Sequence, residues 1–219
     1  MFSNMRFMKY ATVGFAFFLT ACGTAEQGAG EEQASQFEEG VHYTLVGDSV
    51  SEEPKITEFF SFYCGTCYQF QAFNNMLEER FPDVTKNKYQ LHGITPRGME
   101  RIVPQVWAAA EILGVDKEFS RIVFSTHFEE RNQSNSLDDF RALIRRVDVS
   151  DEEFDRAYNS MQAQSRSRRG YELSQEYNVT GTPTYVINEK YKMELTGFRD
   201  SENFFQDFMQ LAEYLIEKD

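Results

Sequence analysis

The sequence predicts an α/β fold with a helical domain inserted into it, and three observations carry that reading. An apolar run, Ile56-Thr57-Glu58-Phe59-Phe60-Ser61-Phe62-Tyr63, leads directly into Cys64-Gly65-Thr66-Cys67 and a segment of helical character. Strand signals then fade from about Val103 to Tyr177, where helical ones dominate. β character returns at Thr184–Asn188 and Tyr191–Thr196, ahead of one last amphipathic helix.

Each element has its own signal. Val41 to Val46 reads as a strand and Gly47-Asp48-Ser49 as a turn, and Lys55 to Phe62 reads as a buried central strand. After Cys67 the residues Phe70, Phe73, Leu77 and Phe81 recur at helical spacing, and Pro82 stops the helix. Lys88 to Ile94 alternates as a second core strand, and Gly93 to Gly98 is loop-like. In the helical stretch the expected helices are Val103–Leu113, ended by Gly114, and Lys117–Arg131. Others begin at Ser136 and Ser150, with Asp139 and Glu153 at their capping-box positions. The stretch Glu153–Tyr177 reads as one long helix broken near Gly170. Ser201 reads as the cap of a final helix whose core face is Phe204, Phe205, Phe208, Leu211 and Leu215. Trp107 and the Phe stripes read as core.

The chain has 219 residues, 41% hydrophobic, with 21 Phe, enough for a core without staples. Its formal charge of −13 argues against a nucleic-acid partner, since no row of cations could neutralise phosphates. Solubility is the plain reading of that acidity.

Residues 1–21 read as a targeting segment: Arg6 and Lys9 precede an apolar stretch, Tyr10 to Ala21, too short to span a membrane as a helix. Its end, Leu19-Thr20-Ala21-Cys22, resembles the lipobox of bacterial lipoproteins. By that resemblance Cys22 would become the lipid-bearing first residue, placing the protein in the periplasm on a lipid anchor, at the outer membrane rather than the inner. An ordinary signal peptide cut nearby is the alternative. Residues 22–40, small, polar and acidic, read as a flexible tether. Residues 41–98 and 178–219 then form the α/β domain, and 99–177 the inserted helical domain.

Two thiols three positions apart at the start of a helix can close into a small disulfide ring. The first would lie where free backbone N–H groups favour a thiolate. A structural disulfide or half of a zinc site would use the same pattern. Zinc needs four ligands, and His42, His92 and His127 stand at no ligand spacing, so no metal is expected. With Cys22 lipidated, Cys64 and Cys67 are the remaining two of three cysteines. A CxxC at the first βα junction, in the order β, α, β, helices, β, β, α, is that of a thioredoxin fold split by a helical insertion.

Three segments in order resemble the DsbA family of bacterial periplasmic thiol-disulfide oxidoreductases. They are Glu58 to Cys64 with Cys67-Tyr68-Gln69-Phe70; Gln105-Val106-Trp107-Ala108-Ala109-Ala110; and Gly181-Thr182-Pro183 with Val186-Ile187-Asn188 and Lys190-Tyr191. The resemblance implies a thiol:disulfide oxidase that needs no cofactor beyond its own Cys64–Cys67 disulfide. Its partners would be reduced or unfolded secreted proteins and a DsbB-like membrane re-oxidant. Cys64 would be the nucleophilic site and Cys67 the buried resolving thiol. Pro183 would be a cis-proline facing the disulfide, leaving the backbone of Thr182 free to pair with an extended substrate while the Thr182 hydroxyl tunes the thiolate. Glu58 would pass protons to and from the inner cysteine; in an apolar strand its ionised form is costly, unless it is a strand-end residue reaching water.

The family typically carries Pro-His where this chain has Gly65-Thr66. Thr66 can donate a hydrogen bond but brings no positive charge. The expected potential therefore falls between about −120 mV for DsbA and about −270 mV for thioredoxin. A reductase or isomerase kept reduced by a membrane partner, and a non-catalytic binding lipoprotein with a fixed disulfide, are the two rival readings.

Overall fold

The computed structural model describes residues 36–218. The expected signal segment, Cys22 and most of the expected tether lie outside the described residues. A five-stranded sheet forms in the order β1-β5-β4-β2-β3. Its strands are β1 (Tyr43–Leu45), β2 (Lys55–Phe60), β3 (Thr85–Gln90), β4 (Thr184–Ile187) and β5 (Tyr191–Met193). β2 and β3 are parallel and the other pairs antiparallel. Helices α1 (Gly65–Gln69) and α2 (Gln71–Arg80) follow β2, and α8 (Phe204–Glu217) closes the chain. Between β3 and β4 run α3 (Ile102–Ile112), α4 (Asp116–Phe128), α5 (Leu137–Ile144), α6 (Asp151–Tyr158) and α7 (Met161–Glu176). This is a thioredoxin fold with an inserted helical subdomain.

Alternation along β2 distributes its side chains to two faces. Ile56 packs with Phe73 and Leu77 of α2 and Phe208, Leu211 and Leu215 of α8. Phe59, on the other face, packs with Tyr89, Val186, and Leu173 and Tyr177 at the end of α7. The end of β2 enters the insertion: Phe60 and Phe62 join Trp107, Phe119, Phe124 and Phe140 in one aromatic core that also takes in Cys67. Trp107 anchors α3 to the sheet by donating Nε1–H to the Lys88 carbonyl, 2.8 Å.

Local chemistry explains the helix starts. Ser136 with Asp139 and Ser150 with Glu153 each form a full capping box. The expected break at Gly170 lies elsewhere. The chain breaks at Asn159-Ser160, where the Ser160 hydroxyl accepts the Ala163 N–H and starts α7 anew. Gly170 sits inside α7 because a Cβ there would come within 2.7 Å of the Tyr89 ring. Ser201 does not cap α8, which starts at Phe204 behind Asn203. Its hydroxyl instead donates to Asp207 Oδ2, 2.6 Å, and accepts the Asn203 N–H.

Two further boundaries move. β3 lies at Thr85–Gln90 rather than Lys88–Ile94, because parallel pairing with β2 sets its register, Lys55 opposite Thr85 and Phe60 opposite Gln90. The end of the expected tether is part of the fold: Phe37, 4% exposed, packs against His42, Phe198 and Tyr214. The one aromatic in an acidic stretch gains more by burial than by solvation.

Candidate active site

Cys64 occupies the N-cap position of α1 with an extended backbone, and its sulfur accepts the Cys67 N–H at 3.2 Å. A thiol thus does the work usually left to a Ser or Asp oxygen. The Cys64 thiol donates in turn to the Thr182 carbonyl, 3.3 Å. Both cysteines are free thiols, Cys64 half-buried and Cys67 buried. Gly65 and Thr66, between them, are exposed.

The two thiols are driven apart in acidity. Cys64 is pulled down to about 6, first by the Cys67 thiol as hydrogen-bond partner, then by Thr182 and the backbone N–H groups of Cys67 and Thr66, against the opposing effect of burial. Cys67 is pushed up, first by burial and then by its hydrogen bond to Cys64. One sulfur is thereby a stable thiolate and good leaving group near neutral pH, and the other holds its proton.

Thr182 and Pro183 meet this pair from the start of β4, and the peptide bond between them is cis. The Thr182 hydroxyl is buried and has no hydrogen-bond partner. It lies where it favours the thiolate of either cysteine.

Glu58 is 5% exposed, so it is an interior residue and not a strand end reaching water. Pairing places Lys88 of β3 opposite it on one side and Tyr185 of β4 on the other. Lys88 Nζ lies 3.0 Å from Glu58 Oε2. Asn74 of α2 donates Nδ2–H to the same oxygen at 3.0 Å and accepts the Tyr185 hydroxyl at 2.7 Å. Oε1 is buried without a partner. Glu58, Asn74, Lys88, Trp107, Glu111 and Tyr185 line a cavity of about 390 Å³ beside this cluster. Burial holds the Tyr185 hydroxyl protonated throughout the physiological range.

The fold therefore brings Cys64, Cys67, Thr182 and Pro183 together, with Gly65 and Thr66 at the surface beside them. Glu58 stands below in a polar cluster of its own. Lys88, Asn74 and Tyr185 escaped sequence reading. A signal existed for Tyr185, two residues after Pro183 in the strand-like segment Thr184–Asn188, but none for Asn74, which a helix break at Phe70 separates from Cys67. Among the described residues no cluster of three or more His, Cys, Asp or Glu could hold a metal ion. No described helix is long and apolar enough to cross a membrane.

Comparison with known proteins agrees with this geometry. A family profile described as a DSBA-like thioredoxin domain matches residues 98–210, over half the chain, a span that includes Thr182-Pro183 and begins after the cysteines. The chain is 29% identical over 191 residues to the thiol:disulfide interchange protein DsbA of Salmonella typhimurium, covering 84% of this chain and 91% of that one. It is 28% identical over 192 residues to DsbA of Escherichia coli K12, with the same coverage. Among solved structures, DsbA of Proteus mirabilis with a non-covalently bound peptide, PWATCDS, superposes with a TM-score of 0.75 at 28% identity, over 83% of this chain and 99% of that one. The DsbA disulfide interchange protein of Klebsiella pneumoniae gives 0.74 at 23% identity, covering 83% and 98%, a likeness of fold.

Proposed function

The chain belongs to the DSBA-like thioredoxin domain family and is a thiol:disulfide oxidoreductase, and from that premise we propose that it donates the Cys64–Cys67 disulfide to reduced secreted proteins. The observation that carries this reading is the placement of the Cys64 sulfur at the N-cap of α1, accepting the Cys67 N–H at 3.2 Å and facing the Thr182 carbonyl at 3.3 Å, while Cys67 is buried. A Cys64 thiol at about 6 stabilises the reduced enzyme, which is what makes a dithiol couple oxidising.

The cycle balances as follows. A substrate thiolate attacks the Cys64 sulfur of the oxidised enzyme, forming a mixed disulfide and breaking the Cys64–Cys67 bond. Cys67 leaves as a thiolate and takes up a proton, which its burial favours. A second substrate thiolate then attacks the substrate sulfur, forming the substrate disulfide and expelling Cys64 as a thiolate. Two substrate sulfurs are oxidised and two enzyme sulfurs reduced.

Supporting roles are part of the same proposal. Glu58 would hand protons to and from Cys67; its Oε2 is held by Lys88 and Asn74, and its Oε1 is buried without a partner. Thr182 presents main chain to an extended peptide beside Pro183 and a hydroxyl to the sulfurs. The Proteus mirabilis DsbA structure, with its bound peptide, is consistent with such a substrate. Thr66 brings no positive charge beside Cys64, so the potential should lie between those of thioredoxin and DsbA.

The site of action we propose is the periplasm, on a lipid anchor at Cys22 in the outer membrane, with a DsbB-like membrane protein as re-oxidant. Residues 41–98 and 178–219 would form the catalytic domain and 99–177 its insertion. Purified protein should oxidise a reduced peptide stoichiometrically and show a potential above thioredoxin's. A value at or below about −270 mV, or reduced cysteines by thiol trapping in cells, would replace this reading with the reductase one. Failure to oxidise at any glutathione ratio would leave a binding module.

A further inference from the structure

His127 has no motif around it in the sequence, yet it packs against the turn that leads into the catalytic pair. It is 3% exposed, near the end of α4, and its ring stands 5.0 Å from that of Tyr63, the residue before Cys64. Nδ1 lies 2.8 Å from the Phe62 carbonyl. Nε2 lies 3.1 Å from the Ser134 backbone nitrogen and 3.1 Å from the Ser134 hydroxyl. A carbonyl can only accept and a backbone N–H can only donate. The ring must therefore carry its proton on Nδ1 and leave Nε2 bare, which fixes a neutral tautomer from geometry alone.

The partner of Nδ1 is what gives this contact meaning. Ser61 to Cys64 is a turn closed by the Cys64 N–H donating to the Ser61 carbonyl at 3.1 Å. Inside it the Phe62 N–H goes to Gln90 Oε1 at 2.9 Å, the Tyr63 N–H to the Ser61 hydroxyl at 3.0 Å, and the Phe62 carbonyl to His127. The Tyr63 hydroxyl donates to the Ser134 carbonyl at 2.7 Å, so the segment that holds Nε2 also holds the Tyr63 ring. The turn is gripped by β3 from one side and by the helical insertion from the other.

We propose that His127 is a positioning residue for disulfide exchange: through Phe62 it fixes the turn that presents Cys64, and so the alignment of the Cys64 sulfur with the Cys67 N–H and the Thr182 carbonyl. It touches neither sulfur nor substrate. Its effect is transmitted through the main chain, because a shift of a few tenths of an ångström in the turn moves the N-cap sulfur relative to both of its partners. The insertion thereby takes a direct part in setting Cys64, beyond covering it.

Two measurements test this. In the wild-type protein at neutral pH, nitrogen NMR should show His127 neutral with the proton on Nδ1; the opposite tautomer, or an imidazolium, would overturn the proposal whatever any variant does. His127→Phe keeps the ring's bulk and removes the hydrogen bonds to Phe62 and to the Ser134 backbone and hydroxyl. Its Cys64 thiolate, followed by ultraviolet absorbance against pH, should form about one unit higher than in the wild type. Its rate of peptide oxidation at neutral pH should fall about tenfold, the reach of one lost hydrogen bond. His127→Gln, whose amide can still donate to Phe62, should recover most of both. A folded His127→Phe protein whose Cys64 titration and rate stay within twofold of the wild type would show the contact to be packing only.

Discussion

Glu58 and Lys88 face each other across the parallel strands β2 and β3, Nζ 3.0 Å from Oε2, with Asn74 donating to that same oxygen. Both ions of this pair come largely out of water, Glu58 more completely than Lys88. Removing one partner leaves a buried charge uncompensated, which costs far more than the pair itself contributes. Lys88→Met should destabilise the protein by about 3 kcal/mol, read as a fall in the denaturant midpoint at unchanged slope. Adding Glu58→Gln to that variant should recover most of the loss, since the carboxamide can still pair with Asn74.

That pair also shows why part of the site was hidden in the sequence. The cysteines were legible because their spacing is local and the turn, strand and helix around them are contiguous. Glu58 was legible as an anomaly, an acid within an apolar run. Its partner was not, since the alternation in Lys88–Ile94 displaces β3 by three residues and makes Lys88 a strand start. Only the parallel register, Lys55 to Thr85 onward, puts it opposite Glu58. Phe37 was misread for a related reason: composition described its neighbours, while its own burial depends on Phe198 and Tyr214, far along the chain. His127 carried no signal at all, because its role lies in main-chain atoms that any residue at position 62 would supply.

The potential should depend on pH in two regimes. Below about 6 the reduced enzyme carries protons on both thiols, and two protons accompany two electrons. Above it Cys64 is a thiolate while buried Cys67 keeps its proton, and one proton does so. The depressed acidity of Cys64 means that stabilisation of the reduced form is lost as pH falls through that value. Glutathione titrations across pH 5–8 should give a slope of about 59 mV per unit bending to about 30. A single slope of ~59 mV throughout would show that Cys64 is not depressed.

The exposed pair between the cysteines offers the most direct control of oxidising power. Thr66→His places a cation within reach of the Cys64 thiolate, and a charge-assisted contact of ~1.5–3 kcal/mol corresponds to some tens of millivolts at ~30 mV per 1.4 kcal/mol. Solvent around Thr66 should hold the gain to the lower end of that range. The potential should rise by about 20–40 mV and the Cys64 thiolate should persist to lower pH. Gly65→Pro should be compatible with the same helix. Gly65 is the first residue of α1, where proline's missing N–H is no loss, and the nearest atom to an added Cβ is in the Phe128 ring at 3.6 Å.

Gly170 should be the least replaceable glycine of the insertion. It lies in the middle of α7, where glycine ordinarily costs about 1 kcal/mol relative to alanine. Here the preference reverses, because an added Cβ meets Tyr89 Cδ1 at 2.7 Å, Cγ at 3.0 Å and Cβ at 3.1 Å. Tyr89 cannot swing away freely: its ring stacks on Phe59 and packs with Leu173 and Tyr177. Gly170→Ala should therefore destabilise by about 1–3 kcal/mol despite alanine's helix propensity. The double variant with Tyr89→Leu, which opens room, should lose less than the two single losses added together.

Stability should fall on the acid side of neutrality in a way that His127 controls. Burial lowers its pKa from an ordinary 6.5, so the unfolded chain takes up a proton near 6.5 that the folded one refuses. The sign follows directly. The unfolded state binds more protons below that point, so the stability His127 confers is complete above 6.5 and is lost as pH falls. His92, lowered by partial burial against α7, adds in the same direction. The decline should approach about 1.4 kcal/mol per pH unit per buried histidine until the folded-state value is reached. Denaturant midpoints for the wild type and His127→Phe, measured from pH 7.5 to 5, should converge as pH falls. Parallel curves would mean that His127 is protonated equally in both states, so that burial does not suppress its charging.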